Sequence, residues 1–262
     1  MELLSSREAA AILGVSASSV KRWADDGMLP CVKTAGQHRR FARDAVERFR
    51  GALGVTAPEA IEASSWIALL AGGESRVVEG ELLAARARGG SWARVSEDLG
   101  VVLEALGERW ARGELSILDE HVMAERLSRA LARVCEWTPI AHDAPRALLV
   151  VPDGEEHTLG LSLAEIALRE LGWSTMWAGR RTPLDEVARA LEGSAPARLV
   201  AASASQFSDD APRMARVAAT LGRMCEKTGA RLIFGGRGAW PEQPRVGVRL
   251  NGFRELAEVA RR

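Results

Sequence analysis

Tyrosine is absent from this chain of 262 residues, although eight tryptophans are present, and nothing in the composition accounts for that. Cysteine is scarce. The three present, Cys31, Cys135 and Cys225, lie far apart and share no C-x-x-C spacing. That implies neither a disulfide framework nor a cysteine zinc site, and leaves each as a small buried hydrophobe. Net charge is missing too: 35 Lys and Arg balance 35 Asp and Glu, so whole-chain charge points to no class of partner. No uninterrupted apolar run reaches membrane-spanning length, and no basic-then-apolar leader follows Met1. These absences predict a cytoplasmic protein with no membrane partner. The length exceeds that of a usual single domain, so two or three domains are expected.

What the chain does have is Glu155-x-His157-x-x-Gly160, after the apolar run Ala147–Val151 and before a helical pattern over Leu161–Leu171. A histidine in the loop after a strand can reach a ligand lying over the carboxyl edge of a sheet. A carboxylate two residues earlier can accept the proton of its other ring nitrogen and fix the tautomer. Gly160 then lets the backbone pass close to something large. The motif is short, and a surface-loop histidine would also produce it. Two later elements change its weight. Ala202-Ser203-Ala204-Ser205 ends a strand-like run, Leu199–Ala202, and Phe234-Gly235-Gly236-Arg237-Gly238 ends another, Arg231–Phe234. Histidine loop, small hydroxyls and double glycine each sit at the C-terminal end of a strand, where open α/β sheets bind ligands.

On these residues, Arg146 to Arg262 resembles the cobalamin-binding domain of methionine synthase and its relatives, a flavodoxin-like (Rossmann-type) α/β fold. The resemblance implies that the histidine of D-x-H-x-x-G replaces the cofactor's own base as lower axial ligand to cobalt. It also implies that the nucleotide tail runs into a slot past the serine and Gly-Gly elements. His157 would then be the cobalt ligand, with Gly160, Ser203, Ser205, Gly235 and Gly236 lining the cofactor. Glu155 stands where Asp is usual, keeping the charge with a longer reach.

The first fifty residues read as a DNA-binding module. Ser5-Ser-Arg-Glu8 forms a capping-box pattern opening a helix over Ser6–Leu13. Gly14 supplies a turn, and Ser16 caps a second helix, Ala17–Asp25, with Val20 and Trp23 facing inward. After Leu29-Pro30 come an extended Cys31–Lys33, a turn at Ala35-Gly36 and a return strand His38–Phe41, together a small wing. Two Lys and seven Arg against six Asp and Glu leave this segment basic in a neutral chain. The pattern S-x-R-E-A-A-x-x-L-G-V-S, V-x-R-W, G-x-L-P, G-x-H-R-R-F resembles the MerR/excisionase winged helix-turn-helix. Lys21, Arg39 and Arg40 are expected at phosphates, with His38 beside them in the wing, and Ser18, Ser19 and Arg22 at base edges. A single module buries little surface, so specific binding to double-stranded operator DNA calls for at least a dimer.

Residues 51–58 read as a linker. From 59 onward, apolar spacings of three and four predict four helices: Glu59–Leu70, Glu74–Ala87, Trp92–Arg112 and Ile117–Trp137, the last capped by Ser116 with Asp119 at the capping-box position. They form a four-helix bundle over 59–141, ahead of the α/β domain at 142–262. Trp110, Glu120 and His121 then share one end of the bundle. Taken alone, they better suit a core tryptophan and a hydrogen-bonded histidine. Beside a cobalamin domain, W-x9-E-H resembles the upper-face signature of the light-sensing, adenosylcobalamin-dependent MerR-like repressors of the CarH/LitR type. That resemblance covers nearly the whole chain. It implies an α+β multidomain repressor, not an enzyme, in which adenosylcobalamin bridges bundle and sheet and sets homo-oligomeric state, dimer or tetramer. One departure stands out. In the best-known members a histidine follows that tryptophan and captures cobalt after light; here the position is Ala111, and His121 or His142 would have to substitute. Two rival readings are a light-independent cobalamin sensor, which Ala111 favours, and a corrinoid-carrier subunit of a methyltransferase, which has no need of the wing. A third, a repressor that has lost cofactor binding, conflicts with the intact Glu155, His157 and Gly160.

Overall fold

The computed structural model describes residues 3–13, 17–34, 36, 38–52, 62–180 and 182–261. The chain divides into two compact units, Met1–Ala60 and Ile61–Arg262.

The first unit runs β1 (Leu3–Ser5), α1 (Ser6–Leu13), α2 (Ala17–Asp25), β2 (Val32–Lys33), β3 (Arg39–Ala42) and α3 (Arg43–Ala52). The capping box closes as expected: Ser5 N donates to the Glu8 carboxylate at 2.6 Å and Glu8 N to Ser5 Oγ at 3.3 Å. The Gly14 turn, the Ser16 cap and Ala35 of the wing turn lie outside the described residues. Leu4, Ala9, Leu13, Val20, Leu29, Phe41 and Val46 make the core, with Trp23 edge-on to Phe49 at 5.3 Å. The wing is the antiparallel pair β2–β3, and β1 adds a third strand on its other side. That strand carries only three residues, too few for an alternation to register in the sequence. Of the expected linker, residues 51–52 end α3 and 53–58 lie outside the described residues.

The second unit begins with four helices: α4 (Ala63–Gly72), α5 (Ser75–Gly89), α6 (Trp92–Ala111) and α7 (Ile117–Glu136). The first starts later than the spacing predicts, behind Glu62, whose carboxylate takes the hydroxyls of Ser64 and Ser65. The last opens on a complete capping box between Ser116 and Asp119. An α/β half follows: β4 (Arg146–Val150), α8 (Leu159–Glu170), β5 (Ser174–Trp177), α9 (Leu184–Glu192), β6 (Leu199–Ser203), α10 (Ala211–Thr228), β7 (Arg231–Gly235), β8 (Val248–Arg249) and α11 (Phe253–Ala260). Its five strands are parallel in the order β5-β4-β6-β7-β8. The flavodoxin-like order expected from the motifs is therefore present, with its switch point between β4 and β6.

Bundle and sheet share α8. Leu163 and Ile166 enter the bundle core, whereas Leu161, Ala164 and Leu168 pack on the sheet. This explains a helix apolar on most of its circumference. α6 runs against α8: Trp92 N donates to Glu170 at its far end, and Ser96 Oγ to Leu163 O at its middle. α7 likewise leaves Thr138 beside Arg169. The C-terminal end of α6 and the N-terminal end of α7 therefore lie toward the sheet's carboxyl edge. Among the described residues no helix is long and apolar enough to cross a membrane.

Candidate functional site

The switch point joins two loops. The loop after β4 carries Glu155 and His157; the one after β6 carries Ser205 and Ser208. Glu155 is 2% exposed. It accepts from His157 N at 2.8 Å, Ser205 N at 2.7 Å, and the Ser205 and Ser208 hydroxyls, each at 2.9 Å. Burial by itself would raise the Glu155 pKa, but the hydrogen bonds from His157, Ser205 and Ser208 outweigh it and hold it at about 2. His157 Nδ1 lies 2.7 Å from the same carboxylate. A carboxylate can only accept, so Nδ1 carries a proton, and in the neutral imidazole Nε2 presents a lone pair. Nε2 has no hydrogen bond among the described residues, and the ring stacks on the exposed Phe207 at 5.0 Å. This arrangement can donate one fixed nitrogen lone pair to a metal or acid at the sheet edge.

Beside it opens a cavity of about 470 Å³ between α6 and the ends of β6 and β7. Gly160, Ser203, Gly235 and Gly236 line it. A Cβ on Gly160 would come within 3.1 Å of Ser203 Oγ. Gly236, at φ +79°, would bring one to 2.2 Å from Ala204 O, so only glycine fits. At Gly235 a Cβ would meet nothing within 4 Å and would occupy cavity space instead. The Ser203 hydroxyl lines the cavity without a hydrogen bond among the described residues.

Trp110 is the penultimate residue of α6, six residues or about 9 Å beyond Glu104, which pairs with Arg237 at the carboxyl edge. It is 39% exposed. Ile117, Leu118 and Val122 are exposed on α7 at the same end of the bundle. Glu120 meets His121 only at 3.6 Å, and the His121 ring is mostly in solvent. Ala111 is also exposed. Among the described residues no group of three or more His, Cys, Asp or Glu is placed to hold a metal on its own.

In the first unit, Lys21 and Arg22 are exposed on α2 and His38 on the wing, while Arg40 is half buried on β3. Ser18 and Ser19 lie within α2, but their side chains are outside the described residues. Arg39 departs from the expected free phosphate contact. It is half buried and pairs with Asp25, tying the wing to the end of α2.

Sequence reasoning missed Ser208, Phe207, Glu104, Arg237 and Arg249. For Ser208 the available signal was its place three residues after Ser205; Arg237 lay inside the double-glycine motif without being assigned a role, and Phe207, Glu104 and Arg249 belong to no motif considered.

Residues 3–52 match a helix-turn-helix domain family and residues 66–134 a B12 binding domain family. Over 123 residues, 45% of this chain, the sequence is 29% identical to the HTH-type transcriptional repressor CarH of Myxococcus xanthus, and covers 41% of it. The HTH-type transcriptional repressor CarA of the same organism is 34% identical over 95 residues, 36% of this chain and 31% of its own length. Over these stretches the chain is similar in sequence to the two repressors. It spans less than half the length of these two relatives. In fold, the chain is similar to the Methanosarcina barkeri monomethylamine corrinoid protein, with a TM-score of 0.54 at 16% identity, over 75% of this chain and 95% of that one.

The residues fit a corrinoid. One imidazole nitrogen is free and aimed by a caged carboxylate, and the double glycine keeps the adjoining slot open. Arg249 lines that slot with a buried Nε that lacks a partner among the described residues.

Proposed function

We propose that this chain is a cobalamin-responsive transcriptional repressor, binding operator DNA through its first unit and adenosylcobalamin through its second. The observation that supports this most is the caged Glu155–His157 pair, three residues before the slot-lining Gly160, in a chain that also carries a helix-turn-helix domain. When bound, adenosylcobalamin would supply a cobalt–carbon bond that visible light breaks. His157 would hold the cobalt through Nε2, and Glu155 would keep Nδ1 protonated. Ser203, Ser205, Gly235 and Gly236 would take the nucleotide tail, and Trp110, Glu120 and His121 would cover the upper face. Lys21 and Arg40 would hold DNA phosphates and Arg22 a base edge, with Arg39 reaching a phosphate only by leaving Asp25. Association into dimers or tetramers would join several DNA-binding modules and raise their effective concentration. The ligand controls DNA affinity only to the extent that loaded and photolysed forms differ in assembly free energy.

The test is a spectral titration of the purified protein with adenosylcobalamin. Wild type should bind with the histidine-ligated, base-off spectrum, and His157→Ala should weaken binding by more than the ~10–100-fold typical of an outer partner. An unchanged titration for His157→Ala would remove the proposal. A second reading, cobalamin sensing without light, is favoured by the methyl group at Ala111. Green light that leaves both oligomeric state and operator affinity of the loaded protein unchanged would select it.

A further inference from the structure

The cavity beside His157 has a charged rim that the cobalt chemistry does not use. Arg237 follows the double glycine directly and lines the cavity, as does Glu104 on α6, and the two form an ion pair. Both are substantially exposed, 62% and 47% at the side chain, so the pair stands in solvent and is weak. Arg249 lines the same cavity. One terminal nitrogen donates to Trp240 O and the Glu242 carboxylate, while its buried Nε lacks any acceptor among the described residues. A buried guanidinium N–H without a partner is costly, although Arg39 and Arg169, which do not line this cavity, each carry one as well. The other acid at the cavity, Glu97, already accepts from Arg254 N. Apart from Asn251, the remaining walls are small or apolar, including Gly235, Leu250 and Phe253.

A cavity with apolar walls, one orphaned guanidinium donor and one weakly paired arginine suits a flat organic group carrying a phosphodiester. We propose that Arg237 is a specificity residue that exchanges Glu104 for the phosphate of the incoming tail, with Glu104 as its placeholder in the unloaded protein. This rests on the cobalamin reading above, since cobalamin carries one phosphodiester, on its nucleotide tail. Arg237 then separates complete cobalamins from corrinoids that lack the nucleotide. Glu104 acts in the opposite sense, competing for the same guanidinium.

Affinities for two probes test it: hydroxocobalamin, which carries the tail and phosphate, and diaquacobinamide, which lacks both. Arg237→Ala should weaken hydroxocobalamin by about tenfold, the lower end for a hydrogen bond to a charged group, and leave diaquacobinamide unchanged. Glu104→Gln should tighten hydroxocobalamin several-fold and again leave diaquacobinamide unchanged. The opposite signs separate recognition from a scaffold role, because a pair that merely joined α6 to the sheet would weaken both probes in either variant. Equal effects of Arg237→Ala on the two probes, or weakened hydroxocobalamin binding in Glu104→Gln, overturn the proposal while the cobalamin reading stands. Wild-type protein that binds neither probe overturns both.

Discussion

The two faces that would meet at the cofactor are built in opposite ways. On the sheet side, Glu155 is buried and takes five donors, from His157 N and Nδ1, Ser205 N and Oγ, and Ser208 Oγ. The imidazole is therefore aimed before any ligand arrives. On the bundle side, Glu120 and His121 approach only to 3.6 Å, Trp110 is 39% exposed and Leu118 71%. Apolar surface of this kind marks a place that something else covers. One face is preorganised by its own hydrogen bonds, and the other is not. Substitutions on the sheet side should therefore change both stability and affinity, and those on the bundle side affinity and selectivity alone.

Glu155 should show the largest effect. Glu155→Ala strips five donors of their acceptor and should weaken cobalamin binding by roughly 10–100-fold. It should also destabilise the unloaded protein, and that loss has a pH signature. A carboxyl held at about 2 instead of its ordinary 4.5 contributes stability that is fully present above pH 4.5 and disappears as the pH falls through 2. The shift corresponds to about 3 kcal/mol as an upper order of magnitude. Denaturant melts should show wild type and Glu155→Gln converging between pH 4.5 and 2; curves that stay parallel would mean that the carboxylate is not caged in solution. Ser208→Ala removes one donor of five, so its cost should be near 1 kcal/mol and a few-fold in affinity.

The same contrast explains what the sequence made legible. The Glu155–His157 contact could be read from E-x-H-x-x-G because its partners are local: the two residues are two apart, at the end of a strongly apolar strand. Its completion by Ser208 was not legible, because that contact spans 53 residues and requires the β4–β6 pairing to be known. The long helices α6 and α7 were read to within a residue or so, since their apolar periodicity is sustained and Ser91 and Ser116 both cap. The edge strands were not. Ser174–Trp177 is partly polar and only half covered, and Val248–Arg249 is two residues long, so neither produces the apolar run that marked β4, β6 and β7. The rim residues Glu104 and Arg237 have no periodic signature at all, because surface charges are placed by whichever element happens to face them.

On the bundle side, Trp110→Ala should sharpen the comparison. An exposed indole contributes little to folding, so the melting curve of the unloaded protein should be unchanged within about 0.5 kcal/mol. Discrimination between adenosylcobalamin and hydroxocobalamin should nevertheless fall several-fold, since the adenosyl group loses an aromatic surface to pack on. Equal preference ratios in wild type and mutant would return Trp110 to an ordinary bundle-end residue.

The smallest effect in the dark belongs to Ala111, and its consequence appears only after illumination. Its side chain is a methyl group with no lone pair, on the last residue of α6. Ala111→His should leave dark affinity and stability close to wild type, because the position is exposed and joins no hydrogen bond of the site. After green light the two proteins should part. In wild type no side chain at this position can hold the photoproduct from above, so its cobalamin should leave on desalting or mild denaturation, and fresh adenosylcobalamin should reload the protein. His121 cannot easily substitute while its ring points mostly to solvent, although α7 begins at the same end of the bundle. In Ala111→His the added imidazole should retain the photoproduct and shift its spectrum to that of a bis-histidine adduct. The measurement is the absorption spectrum before and after light, followed by the cobalamin remaining after desalting. Wild-type protein that keeps its photoproduct as a bis-histidine adduct, and still does so in His121→Ala and His142→Ala alike, would show that the bundle face is as preorganised as the sheet face and that the contrast drawn between them is wrong.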